Sequence, residues 1–154
     1  MRMDINSSIN FDVISQYDNS NISTPILVST SNRNGLELKL ELDKNVYNIG
    51  DTIRGTINVN RLNPDIDIRA LEIMLTSTEK ATASNRIVVT TMYENRHKIT
   101  DWKEKQNCPF EINIPQDIIK SYRGRYSEII WEVKAKIDRP LSQDLNAVAM
   151  IEVI

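Results

Sequence analysis

At 154 residues, with 40% apolar and 26% charged residues and a formal net charge of −2, the chain is sized for one soluble domain around one core. That balance gives no overall electrostatic drive toward nucleic acid, which calls for a clustered basic excess. A single cysteine, Cys108, excludes an internal disulfide framework, and a single histidine, His97, excludes a histidine-pair metal site.

The first stretch, 1–34, is rich in Asn and Ser and nearly free of apolar periodicity. It reads as a partly flexible arm with one short strand from Ile9 to Val13, where Ile9, Phe11 and Val13 alternate with polar residues. It lacks the apolar core of a signal peptide, and no apolar run approaches the roughly 20 residues that span a bilayer. A cytoplasmic location is therefore expected, and the sequons at Asn6 and Asn21 are read as chance.

From Leu36 the pattern changes, and residues 35–154 read as one domain. Leu36, Leu38, Leu40 and Leu42 alternate with Glu37, Lys39 and Glu41, which places leucines on one face of a strand and charges on the other. Gly50-Asp51 signals a turn, and Ile53, Ile57 and Val59 form the next face, with Gly55 marking a bulge or a close backbone approach. Between Ile66 and Lys80 the apolar phase switches near Ala70-Leu71, which predicts a bulge there. Short strands follow at Ile87 to Tyr93 and at Phe110 to Ile114, the latter stopped by Pro115. Ile129, Trp131, Val133, Ala135 and Ile137 make another alternating strand, and Ala147 to Ile154 the last. Asp117 to Tyr122 has room for one helical turn, but no helical stripe reaches ten residues. Seven or more strands without a disulfide predict an all-β, immunoglobulin-like antiparallel sandwich.

Three segments carry a family resemblance, in order along the chain. Val46-Tyr47-Asn48-Ile49-Gly50-Asp51-Thr52-Ile53-Arg54-Gly55-Thr56-Ile57 resembles the opening of arrestin-like N-terminal domains. Phe110-Glu111-Ile112-Asn113-Ile114-Pro115 is similar to a strand of that family. Ser121-Tyr122-Arg123-Gly124-Arg125-Tyr126, followed by Ile130 to Pro140, resembles a segment of the α-arrestins. The resemblance covers Leu36 to Ile154 and implies a sandwich of the arrestin type, non-enzymatic, serving as scaffold or cargo adaptor in membrane trafficking or signalling. The family usually carries two such sandwiches and this chain carries one. Ala149 aligns where visual and β-arrestins carry a phosphate-sensing arginine, and no Pro-Pro-x-Tyr tail is present.

Catalytic and cofactor chemistry finds no foothold: there is no phosphate loop, dinucleotide fingerprint, nucleophile elbow or Cys-x-x-Cys. No cofactor and no metal are expected. His97 lies in a polar stretch that reads as a strand end or loop, and Cys108 as a small apolar filler. Asp65 and Asp67 follow Asn63-Pro64, where turn chemistry accounts for them better than Ca²⁺ binding.

The richest segment is Lys120 to Tyr126, with three cations and two aromatics in seven residues. Lys120, Tyr122, Arg123 and Arg125 are the candidate partner-binding residues, since Arg and Tyr combine contact area with directed hydrogen bonds. An acidic or phosphorylated tail, or an anionic lipid head group, suits that chemistry. The competing reading packs Tyr126 in the core and leaves the cations merely exposed. Trp102 joins the candidates as an exposed anchor, against the alternative that it folds back over the core. The expected partner is a protein, a membrane-protein tail or a trafficking complex, with peripheral membrane association and no nucleic acid. Rival functions are a retromer-type subunit active only within a larger complex, a carbohydrate-binding or adhesin-like sandwich, and, less favoured, an enzyme using carboxylates alone.

Overall fold

The computed structural model describes residues 9–11, 27–33, 35–63, 65–100, 102 and 107–154. Among them are eleven strands and no helix: β1 (Ile9–Phe11), β2 (Leu27–Arg33), β3 (Leu36–Leu42), β4 (Val46–Tyr47), β5 (Thr52–Arg61), β6 (Ala70–Ala83), β7 (Arg86–Ile99), β8 (Asn107–Asn113), β9 (Tyr122–Arg123), β10 (Ser127–Asp138) and β11 (Leu145–Val153). One sheet runs β1-β2-β3-β5-β8 and the other β4-β11-β10-β6-β7, with β9 beside β10. Pairings are antiparallel except that of β11 with β4, where Glu152 faces Val46 and Val153 faces Tyr47.

Period-two patterning explains how the two sheets close on each other. All four leucines of β3 are buried while Glu37, Lys39 and Glu41 stay partly exposed. On β10 the same alternation buries Ile129, Trp131, Val133, Ala135 and Ile137, and on β11 it buries Leu145, Ala147, Ala149, Ile151 and Val153. These faces join in one apolar cluster between the sheets. Each fully buried Leu or Ile contributes about 2 kcal/mol of transfer free energy, so the alternating strands drive the fold.

Gly55 confirms the expected close approach. It lies between Leu42 and Phe110 in the sheet, and a Cβ there would meet the Phe110 ring at 2.6 Å and run into the Glu41 carbonyl oxygen. Tyr47, fully buried on two-residue β4, donates its hydroxyl to Asp43 Oδ1 at 2.6 Å and accepts from the Lys44 N–H at 3.2 Å. Burial first, and then the Asp43 carboxylate, hold the phenol in its neutral form far above its ordinary range.

Four details depart from the pattern read in the sequence. Leu27–Arg33, inside the stretch taken as an arm, pairs with β3 residue for residue, because Leu27 and Val28 supply buried surface. The remainder of that stretch other than β1, including Val13 and the two sequons, lies outside the described residues. Residues 66–69 are not strand, so the phase switch near Ala70 marks the start of β6, and the register shift falls further along, where Ser77 faces Tyr93 but Thr78 faces Thr91. β7 runs on past Tyr93 to Ile99, which puts His97 near a strand end, because the polar run from Tyr93 to Lys98 is an edge strand with little to bury. Finally, Asp117 to Tyr122 forms no helical turn.

Candidate functional site

The segment joining β8 to β10 crosses the end of the second sheet, and backbone chemistry fixes it there. Ile114 N–H donates to the Asp51 carbonyl at 2.8 Å, setting where the segment leaves β8. Trp131, buried on β10, donates its indole N–H to the Ile119 carbonyl at 2.9 Å. Ser121 then bonds twice to β11: its N–H donates to the Val153 carbonyl at 2.9 Å, and its hydroxyl accepts from the Val153 N–H at 2.8 Å. β9 continues this edge by pairing Tyr122 with Ile129 and Arg123 with Glu128, just beyond where β11 leaves β10. Gly124 N–H donates to the Ser127 carbonyl at 2.8 Å, and the Tyr122 ring lies so close over Gly124 that a side chain there would collide with it.

On this fixed backbone the side chains point outward. Tyr122 is 55% and Tyr126 65% exposed, and Ile119 is exposed beside them. The Arg125 guanidinium sits over the Tyr126 ring, 5.3 Å from its centroid, a cation–π contact that holds both side chains at the surface. Arg123 approaches Glu128 at 3.8 Å, but the pair is exposed and contributes at most about 1 kcal/mol. The guanidinium therefore remains available to a stronger acidic partner. Tyr126 carbonyl accepts the Thr82 N–H at 2.7 Å, tying the segment to the β6–β7 hairpin.

Lys120, Tyr122, Arg123 and Arg125 are each exposed along this segment, with Tyr122 and Arg123 on alternate faces of β9. Trp102 is not part of it: only 8% exposed, it belongs to the core cluster, since burying an indole gains more than displaying it. Tyr126, whose core placement was the competing reading, is exposed. Sequence reasoning missed the exposure of Ile119 and of Ile87, Val88 and Val89 on β7. The three successive β-branched residues were the available signal, but they read equally well as a buried strand. Asp65 N–H donates to Asn63 Oδ1 at 3.0 Å, the turn chemistry expected of that segment. Among the described residues, no group of three or more His, Cys, Asp or Glu side chains is placed to hold a metal ion.

Comparison with known proteins bears on this architecture. The family model described as "Arrestin (or S-antigen), C-terminal domain" matches residues 32–152. The first of the three sequence segments resembles the opening of that family's N-terminal domain, so the agreement is at the level of the family and not of the half. Among solved structures, the sporulation control protein Spo0M from Bacillus subtilis is similar over 79% of this chain and 50% of its own, with 17% identity and a TM-score of 0.58. That likeness shows the fold, and this chain spans about half the length of that protein. A β-glucosidase from Listeria innocua aligns over 81% of this chain and 16% of its own at 17% identity, but its TM-score of 0.29 carries no argument. No curated protein matches.

Proposed function

The chain belongs to the arrestin family, and from that premise we propose that it is a cytoplasmic protein-binding adaptor, working without catalysis, that holds the acidic tail of a membrane-associated protein. The observation that carries the reading is the Ile119 to Tyr126 segment: anchored through Trp131 and Val153, it displays two exposed tyrosines and exposed Lys120, Arg123 and Arg125. Tyrosine rings lose little entropy on binding, and guanidinium groups make directed, charge-assisted hydrogen bonds. Their shared sheet edge fixes the spacing at which a partner's carboxylates would be met. A role in membrane trafficking or signalling is the family-level reading of that chemistry.

The test is recovery of partners from a solubilised membrane fraction, comparing the unmodified chain with Arg123→Glu/Arg125→Glu. Both residues are exposed, so the variant should keep the circular dichroism spectrum and melting temperature of the parent. Reversing two cations should weaken capture of an acidic partner by about a hundredfold, at roughly 1–2 kcal/mol for each lost charge contact. Equal capture by a folded variant would move the site elsewhere, and no specific partner for either would remove the self-sufficient adaptor.

A further inference from the structure

β7 forms one edge of the second sheet, and it lacks two features that blunt other edges of the sandwich, a proline and shortness. β8, an edge of the other sheet, contains Pro109, which offers no N–H, and β4 is only two residues long. β7 is 14 residues long without a proline. Its first half exposes three successive β-branched residues, Ile87 at 72%, Val88 at 52% and Val89 at 59%.

Hydrogen-bond phase shows which of its backbone groups are unused. Thr82 N–H donates to Tyr126 on the β10 side, so its partner across the hairpin, Ile87, is at a non-hydrogen-bonded position. The N–H and C=O of Ile87 therefore point away from β6, and by alternation so do those of Val89 and Thr91. The bulge then intervenes: with Ser77 facing Tyr93 and Thr78 facing Thr91, Met92 is the extra residue. Beyond it the outward set is Glu94, Arg96 and Lys98. The same alternation puts both outward sets on the face away from the core, because their neighbours Tyr93, Asn95, His97 and Ile99 face the core-directed Ser77, Leu75, Ile73 and Leu71.

We propose that this edge pairs antiparallel with β7 of a second copy of the chain, in a register centred on the bulge. Three outward residues precede the bulge and three follow it, with Met92 and Tyr93 between. Antiparallel self-pairing sets Thr91 against Glu94 of the second copy, Val89 against Arg96 and Ile87 against Lys98. Two residues separate the outward sets on each strand, so the irregularity is matched and the ladder runs the length of both edges. A regular strand from another protein would lose register at Met92.

Side chains agree with the same register. Opposed residues share a face throughout, and no like charges oppose one another. The aliphatic stems of Arg96 and Lys98 cover Val89 and Ile87, the Arg96 guanidinium keeping its contacts with Glu94 and Glu72 of its own copy, and the Thr91 hydroxyl meets the Glu94 carboxylate. A shift of the dyad onto Arg96 would set that residue against its own copy, which disfavours the slip.

The test is molar mass by sedimentation and light scattering across a concentration series, with two variants. Val89→Pro removes an outward N–H and spares the hydrogen bonds to β6, so the fold, checked by circular dichroism, should remain. Its dimer dissociation constant should rise about tenfold or more, the equivalent of one or two lost cross-strand hydrogen bonds. Thr90→Cys/Asn95→Cys places opposed thiols at non-hydrogen-bonded sites of the two copies, whereas within one strand they lie about 17 Å apart. Mild oxidation should give a covalent dimer of the double variant and leave Thr90→Cys alone uncrosslinked. A parent chain that stays monomeric at every concentration overturns the proposal. So does a dimer indifferent to Val89→Pro that fails to crosslink, or a monomer whose β7 edge is occupied by an extended segment of a different protein.

Discussion

Replacing Trp131 by Phe separates what the core needs from what the surface segment needs. The indole is fully buried, packs against Tyr93 with ring centroids 5.6 Å apart, and donates its N–H to the Ile119 carbonyl. Phenylalanine preserves most of the apolar contact and loses about 1 kcal/mol of transfer free energy. It also leaves the Ile119 carbonyl without its indole donor, at a cost of about 1–3 kcal/mol. The total, about 2–4 kcal/mol, resembles that of Leu38→Ala in the other sheet, which removes a fully buried leucine. The two variants should nevertheless differ in where they loosen. In Trp131→Phe, the Ser121 amide, bonded to Val153, should exchange with solvent deuterium faster than global unfolding allows. In Leu38→Ala it should exchange only through global opening. Urea titration followed by circular dichroism, with residue-resolved hydrogen exchange on both variants, makes the comparison. Equal Ser121 exchange at matched stability would refute the idea that Trp131 anchors the segment.

Two further perturbations test the framework. Gly55→Ala should destabilise the fold by about 2–4 kcal/mol in a urea titration, because the added methyl meets a fixed carbonyl as well as a ring. Phe110→Leu introduced alongside should not restore it, since the Glu41 carbonyl remains in the way. For Tyr47 the folded phenol ionises far above its ordinary value of 10.0, so its contribution is fully present below about pH 10 and declines as pH rises beyond that. Urea titrations between pH 8 and 11 should show stability falling above pH 10 with a slope approaching 1.4 kcal/mol per unit, and Tyr47→Phe should remove that component.

What the sequence made legible was whatever burial imposes with period two. The leucines of β3, the alternating faces of β10 and the Gly55 approach were all readable, since each needs only a strand and a neighbour on one side. β2 was not, because a strand with two buried apolar residues followed by Ser, Thr and Asn has the composition of a loop. The edge strand β7 was undercalled for the opposite reason: an edge buries little, so its second half shows no periodicity to detect. Within the site, the cations and tyrosines of 120–126 were recognisable from composition. Their exposure was decided by remote groups, the Trp131 indole and the Val153 amide, which no local pattern reveals. For Trp102 both placements were open in sequence and the structure takes the inward one, for a polar neighbourhood does not say whether a ring turns inward.

The parallel contact of β4 with β11 has a consequence for how the molecule is assembled. The β2–β3, β6–β7 and β10–β11 hairpins join neighbours in sequence and can form early, whereas Val46 and Glu152 meet only after closing a loop on the order of a hundred residues. Val153, which grips Ser121, belongs to that same late strand. The outward display of Tyr122 and Arg123 is therefore completed only when β11 has docked. With β11 detached, the other hairpins would persist but residues 121–123 would lose their frame, so the ordering of this segment reports the docking of a strand distant from it in sequence.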